Sequence, residues 1–346
     1  MSNASSIDIK ALTVYLEQHL DDFQGPMSLE KFSGGQSNPT YKVSAQSGTY
    51  VLRRQPPGKL LKSAHAVDRE YRVLKALKNT DVPVAQVYHL CEDITVIGSM
   101  FYLMEFCDGS IYWHASLSEI AHNTQRTEMY EAMNKALVAL HSVDIEAVGL
   151  SSYGKKGNYF SRQLERWLAQ YKASELQVIP AMDKLGQWLE ANLPEDDGLV
   201  CLVHGDYRLD NIMFAKDKPE IIAILDWELS TLGHPFADLA YQCMGLRMPQ
   251  GLGSIDGLKG IDRNSLGIPT EAEYVAQYCQ RMNIDHIDHW SFYLSFSFFR
   301  LAAIVQGVAK RASQGNASNA NADKVGAFVE PLALMALEII TQEHQA

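Results

Sequence analysis

The chain has 346 residues, 47% of them hydrophobic and 21% charged, and carries a formal net charge of −11. That length suits two lobes better than one small core, and the composition excludes a disordered chain. The acidic balance argues against nucleic acid or an anionic membrane as a partner, since both need basic patches, although a local group of arginines and backbone N–H groups can still hold a phosphate.

In chain order, Ser6 is placed to cap a first helix whose Ile9, Leu12, Leu16 and Leu20 recur at helical spacing, with Gly25-Pro26 as its stop. Residues 29–105 turn to strands. A turn cluster at 33–39 separates two short apolar segments, and residues 49–54 form a strand before the break at Pro56-Pro57-Gly58. A helix over 66–78 with Val67, Tyr71, Leu74 and Leu77 on one face precedes two more strands, near 84–90 and 100–106. After residue 107 the chain becomes mostly helical, with amphipathic stretches at 128–141, 159–172 and 182–193. Short β-type runs return between 199 and 229. Two loops interrupt the helical remainder, at 247–270 and 312–323, and no internal repeat is visible.

Cys91, Cys107, Cys201, Cys243 and Cys279 are widely spaced and form no CxxC, which predicts reduced thiols in a cytoplasmic protein rather than disulfides or a zinc site. The first ten residues lack a basic start followed by an apolar run, so no signal peptide is expected. Residues 291–309 are apolar but contain Arg300, Gln306 and several serines, which predicts a buried helix and not a membrane span.

The densest polar run is His204-Gly205-Asp206-Tyr207-Arg208-Leu209-Asp210-Asn211, followed by Asp226-Trp227-Glu228. Both follow apolar segments, at 199–203 and 221–225. A hairpin-like pairing would bring Asn211 and Asp226 to one end of two neighbouring strands. An amide oxygen and a carboxylate would then converge as a hard, oxygen-seeking cation requires, with Asp206 beside the metal but not on it. An Asp and an Asn five apart, followed by a metal-binding Asp, is the logic of kinase active sites.

The motif HGDYRLDN resembles the aminoglycoside phosphotransferase and choline kinase superfamily. With LDWELSTLGHPFADLA, the VLRRQPPGKLLKSAHAVDREYRVLKAL region and SFSFFRLAAIVQGVAKR, it is similar to the kinase-like domain associated with acyl-CoA dehydrogenases, over residues 29–311. The resemblance implies an α+β, bilobal protein-kinase-like fold, with a β-rich nucleotide lobe over 1–107 and a helical lobe over 108–346. It implies ATP and Mg²⁺ as cofactors, Asp206 as the catalytic residue, and Asn211 and Asp226 as metal ligands. His204 and Asp238 then brace the loop. Phosphoryl transfer is loose and asks for positioning more than deprotonation, so a carboxylate with an ordinary pKa near ~3.9 suffices at Asp206.

On the nucleotide side, Ser33, Gly34, Gly35, Ser37 and Asn38 can offer backbone N–H groups to phosphate, although GxGxxG is missing. Arg53 falls where the family has a strand lysine, with Glu70 as its partner; Arg54 would point to the opposite face as a solvated charge. Glu105 and Cys107 correspond to the adenine-pairing hinge, and Val51 to the residue packed on the purine. Arg300 needs an anionic partner, expected to be an internal carboxylate. The acceptor is a small-molecule hydroxyl. The subfamily resemblance implies a hydroxyacyl-CoA, while an amino alcohol, a sugar, an aminoglycoside, or a pseudokinase that binds nucleotide without turnover are the alternatives. Oligomeric state is not legible.

Overall fold

The computed structural model describes residues 7–32, 38–56, 66–250, 256–314 and 325–343. Ser33, Gly34, Gly35 and Ser37, expected at the phosphates, lie outside the described residues. The chain divides into two compact units. The first comprises residues 1–111, 146–150 and 211–230, and the second 112–145, 151–210 and 231–346.

The first unit opens with α1 (Ile9–His19). Its cap is Asp8, not Ser6: the Asp8 carboxylate accepts from the N–H groups of Lys10 and Ala11, both at 3.0 Å. Asp8 immediately precedes the helix with extended backbone, so its short side chain reaches the free N–H groups of the first turn. The helix ends at His19, six residues ahead of Gly25, and Leu20 is its C-cap. Leu12 and Leu16 bury against Val43, Leu52, Phe101 and Leu103.

Those residues belong to an antiparallel sheet of β1 (Met27–Lys31), β2 (Thr40–Ala45), β3 (Gly48–Arg54), β4 (Val87–Cys91) and β5 (Phe101–Glu105), in the order β1-β2-β3-β5-β4. Between β3 and β4 runs α2 (Val67–Leu77), which buries Val67, Val73, Leu74 and Leu77 together with one carboxylate, Glu70.

Strand alternation places Val51 and Arg53 on one face of β3 and Leu52 and Arg54 on the other. The second face is the one packed beneath α1 through Leu52. Arg54 is therefore not the solvated charge expected of it but is 2% exposed. Its Nε reaches only the carbonyl of Gln55, at 3.4 Å, and Nη2 has no hydrogen-bond partner among the described residues.

A second, three-stranded sheet completes this unit: β6 (Gly109–Ile111), β8 (Ile212–Ala215) and β9 (Ile221–Ile224), in the order β6-β8-β9. Gly109 is required where β6 meets β8, because a Cβ there would run into the carbonyl of Phe214. The hairpin β8–β9 pairs Ile212 with Ile224, and the Leu225 N–H donates to the Asn211 carbonyl at 2.8 Å. The two apolar segments read from the sequence do not pair with each other. Residues 221–224 pair with the strand after Asn211, while β7 (Cys201–Val203) pairs with β10 (Thr231–Gly233) in the second unit.

The rest of the second unit is helical: α3 (Asn123–His141), α4 (Tyr159–Ser174), α5 (Pro180–Ala191), α6 (Phe236–Arg247), α7 (Glu271–Met282), α8 (Trp290–Ser313) and α9 (Val329–Glu343). α8 is long and apolar enough to cross a membrane, but nearly every residue from Ser291 to Gln306 is buried, and it packs against α4, α6 and α9. It is a core helix. The five cysteines are unpaired thiols.

Candidate active site

The first unit gathers its charges around Arg53, whose side chain is 13% exposed. Arg53 Nε lies 2.8 Å from Glu70 Oε2 and Nη2 lies 2.7 Å from Asp226 Oδ1, with Glu228 at 4.0 Å. The Nε approach to Glu70 is an ion-pair contact without hydrogen-bond geometry, and Glu70 accepts two hydrogen bonds from elsewhere. Asn38 Nδ2 donates to Oε1 at 2.9 Å, and the Tyr102 hydroxyl donates to Oε2 at 3.0 Å. Arg53 and Tyr102 sit directly opposite each other on β3 and β5, which puts the tyrosine beside the ion pair.

Burial alone would lower the guanidinium's affinity for its proton, but Glu70, Tyr102, Asp226 and Glu228 together hold it above the ordinary arginine range. Burial pushes Glu70 up to about 7, with the Asp226 and Glu228 charges adding and Arg53 and the Tyr102 hydroxyl opposing.

Asp226 stands just past β9 in left-handed backbone, φ 63° and ψ 63°. A non-glycine residue held there costs on the order of 1–2 kcal/mol, least for Asp and Asn, and such positions concentrate at functional sites. Asn211 ends a single 3₁₀ turn, Leu209–Asn211, at the same end of the β8–β9 hairpin. Its amide and the Asp226 carboxylate are the oxygen pair predicted to hold a cation. A donor set of one amide and one carboxylate, the latter already facing a positive group, fits a small hard ion that keeps waters and takes its other oxygens from phosphate.

Val51 is buried on β3 between Lys42 of β2 and Met104 of β5. The Glu105 N–H is occupied by the Gln86 carbonyl at 2.8 Å, and its carboxylate accepts from the Gln86 N–H at 3.1 Å. Cys107 is half-buried, and burial pushes its thiol up to about 11, so it stays protonated.

In the second unit, Asp206 follows β7 on a loop held from several sides. The N–H groups of His204 and Gly205 donate to Asp238 Oδ2 and Oδ1 at 2.6 and 2.8 Å, and the Asp206 N–H donates to His204 Nδ1 at 3.2 Å. Tyr207 donates to the Met133 carbonyl at 2.7 Å. Gly205 has φ 84°, a conformation glycine adopts without strain.

Behind Asp238 lies His141, with Nε2 at 3.4 Å from Oδ2 and Nδ1 at 2.7 Å from the Tyr278 hydroxyl. Burial alone would raise the Asp238 carboxyl. The hydrogen bond and charge of His141, the charge of His204 and the Gly205 N–H outweigh it and hold the carboxyl below the usual range. Among the described residues Arg300 has no carboxylate bonded to it. It donates from Nη2 to the Gly205 carbonyl at 2.5 Å, which corrects the expectation of an internal acid: α8 presents it to the loop backbone instead.

Tyr241 on α6 is a residue the sequence did not single out. It stands against Asp206 and is pushed up first by burial and then by the Asp206 charge and the hydrogen bond to it. Arg208, paired with Asp210 at 2.5 and 2.6 Å, is another. Arg208 and Tyr241 line a small cavity of about 70 Å³ with Trp113, Met133, Met244 and Leu301. A larger cavity, about 520 Å³, lies between α6, α8, α9 and the segment 258–264. It contains nothing of the 204–211 segment, whereas the smaller one is lined by Arg208, Leu209 and Asp210 of that segment.

An antiparallel sheet carrying a buried Arg–Glu pair, a strained Asp after a hairpin, and a helical unit presenting His-Gly-Asp define a kinase-like phosphotransferase. The chain belongs to the phosphotransferase enzyme family, whose profile matches residues 28–280. It is 48% identical over 334 residues to acyl-CoA dehydrogenase family member 10 of Mus musculus, covering 96% of this chain and 31% of that one. It is 41% identical over 337 residues to acyl-CoA dehydrogenase family member 11 of Rattus norvegicus, covering 96% and 43%. The chain thus spans less than half the length of these relatives.

Among solved structures, a candidate aminoglycoside phosphotransferase from Ralstonia eutropha superposes with a TM-score of 0.89 at 47% identity, over 97% of this chain and 99% of that one. An aminoglycoside phosphotransferase crystallised with ADP and hygromycin B shares the fold, with a TM-score of 0.61 at 12% identity over 96% and 99% of the two chains.

Proposed function

We propose that the protein transfers the γ-phosphate of ATP to a hydroxyl of a small molecule. The observation that carries this reading is the buried Arg53–Glu70 pair extended to Asp226, in a chain whose second unit fixes the backbone on either side of Asp206. Bound Mg·ATP would supply the phosphoryl group and neutralise its developing charge. Asn211 and Asp226 would hold the metal. Arg53, steered by Glu70, would pair with phosphate oxygens, as a guanidinium can in bidentate fashion. Val51, Glu105 and Cys107 would line the base, and Asn38 would help hold Glu70. Asp206 would orient the acceptor hydroxyl and take its proton.

The cavity that includes Tyr241 supports an acceptor with an apolar body. Its wall includes Trp113, Met133, Met244 and Leu301, and of its two carboxylates Asp210 is committed to Arg208 and Asp256 faces His114 at 3.8 Å. A polycationic aminoglycoside would need carboxylates left free. The relatives' names concern acyl-CoA, so a hydroxyacyl-CoA is the first acceptor to assay, with amino alcohols, sugars and aminoglycosides as comparators.

The test is ATP consumption across those classes with two variants. Asp206→Asn should cut kcat far more than it weakens ATP binding, and Asp226→Ala should weaken Mg·ATP binding as well. Wild-type turnover in both variants would sink the reading; ATP binding without turnover on any acceptor would make the protein a pseudokinase.

A further inference from the structure

We propose that Arg300 is a positioning residue: from the middle of α8 its guanidinium locks the Gly205 carbonyl and so sets the direction in which Asp206 presents its carboxylate. The inference rests on the reading of Asp206 as the group facing the acceptor hydroxyl.

Three observations carry it. Arg300 is 9% exposed, in a helix otherwise apolar enough to pass for a membrane span. Among the described residues no carboxylate is bonded to it; such a buried guanidinium is costly, and an apolar side chain of similar volume at such a place is often neutral or stabilising. Arg300 is therefore not explained by stability.

The second observation is what it binds. The Gly205 N–H, in the peptide joining it to His204, is held by Asp238 at 2.8 Å, and the Gly205 carbonyl, in the peptide joining it to Asp206, is held by Arg300 at 2.5 Å. Glycine has the widest backbone freedom of any residue, and Gly205 uses it at φ 84°. The N–H of that second peptide donates to His204 Nδ1 at 3.2 Å, a bond made within the loop itself. The shorter Arg300 bond ties the same peptide to a helix outside the loop, and so fixes its orientation against the core.

Third, the guanidinium lies over two rings, 5.0 Å from the centre of Tyr241 and 5.7 Å from that of Trp167. Tyr241 is the ring that stands against Asp206. Arg300 thus fixes the backbone before Asp206 and the aromatic ring beside it.

The experiment uses the full chain, with Mg·ATP as the only probe and water as the acceptor, following phosphate release. Three variants are compared with wild type: Arg300→Met, Arg300→Lys and Asp206→Asn. Amide hydrogen exchange of the 201–211 segment and thermal unfolding are read on the nucleotide-free proteins. Arg300→Met should lose roughly 10- to 100-fold in kcat, the scale of a misplaced reacting group, with the KM for ATP within about twofold. Exchange over 201–211 should quicken by about tenfold with the unfolding temperature unchanged or higher. Arg300→Lys, which keeps a donor for the carbonyl, should recover part of the rate; it also serves if the methionine variant does not fold.

Wild-type turnover or unchanged exchange in Arg300→Met overturns the proposal while loss of activity in Asp206→Asn leaves the kinase reading standing. Undiminished turnover in Asp206→Asn removes that reading, and this inference with it.

Discussion

Arg53 Nη2 lies 2.7 Å from Asp226 Oδ1, so the residue standing in the family's lysine position is bonded to the carboxylate expected to hold a metal. The same guanidinium reaches Glu70 through Nε at 2.8 Å. A lysine has one nitrogen and could not make both ion-pair contacts with this geometry. The forked cation thus ties a β3 side chain to both α2 and the end of β9.

Arg53→Lys should keep the contact with Glu70 and lose the one with Asp226. Turnover of ATP is expected to stay within about tenfold of wild type, whereas Arg53→Met should lose roughly 100-fold in kcat/KM for ATP, on the scale of a lost charged contact to phosphate. Steady-state kinetics at varied ATP checks both. A methionine variant as active as wild type would place Arg53 away from the phosphates.

Tyr102→Phe removes one of the donors to the Glu70 carboxylate without changing the packing of the ring. The loss of a buried hydrogen bond to a charged group should cost about 1.5–3 kcal/mol, measured as a shift in the urea midpoint at constant slope. A cost near zero would mean that Asn38 and Arg53 satisfy Glu70 between them.

Asp238 gives a pH signature. Its carboxyl is held below the usual range, so its unfolded value is the higher of the two. The stability it contributes is present above the unfolded-state value near ~3.9 and is lost as pH falls through its lower folded value. Urea unfolding between pH 7 and 3 should show Asp238→Asn less stable than wild type at neutral pH, with the gap narrowing below about pH 4. A gap constant with pH would contradict the assignment.

Met244→Trp should fill the 70 Å³ cavity lined by Arg208, Asp210 and Tyr241. Acceptor-dependent turnover is expected to fall at least about tenfold while ATP affinity holds, with an overpacking cost of about 1–3 kcal/mol in the unfolding free energy. If acceptor kinetics do not change, the acceptor enters elsewhere, and the cavity beside α9 becomes the place to look.

The division into a strand-rich first third and a mostly helical remainder was legible because it is written in local periodicity, short strand-like runs around one helix before residue 107 and long amphipathic stretches after it. The family resemblance gave the Arg53–Glu70 pairing, and the spacing gave Asn211 and Asp226 at one end of two strands, but with the wrong strand: 212–215, not 199–203, is the partner of 221–224. What escaped depends on what covers a face. Arg54 reads as a surface charge until α1 is known to lie over Leu52. The Glu70 donors Asn38 and Tyr102 are 32 residues away in either direction and become neighbours only through the β2–β3–β5 register. Tyr241 and Arg300 lie on helices whose sequences announce only burial, and the partner of Arg300 is a main-chain carbonyl, which leaves no mark in a sequence.

The left-handed backbone at Asp226 also sorts which residues can stand there. Asparagine visits that conformation nearly as readily and would surrender the charge alone; alanine would surrender the charge and inherit the strain; glycine would relax the turn and leave Arg53 its contact with Glu70. Folding yield across these three replacements therefore reports on the main chain, and their differences in nucleotide affinity report on the oxygen atoms, so one position separates shape from chemistry.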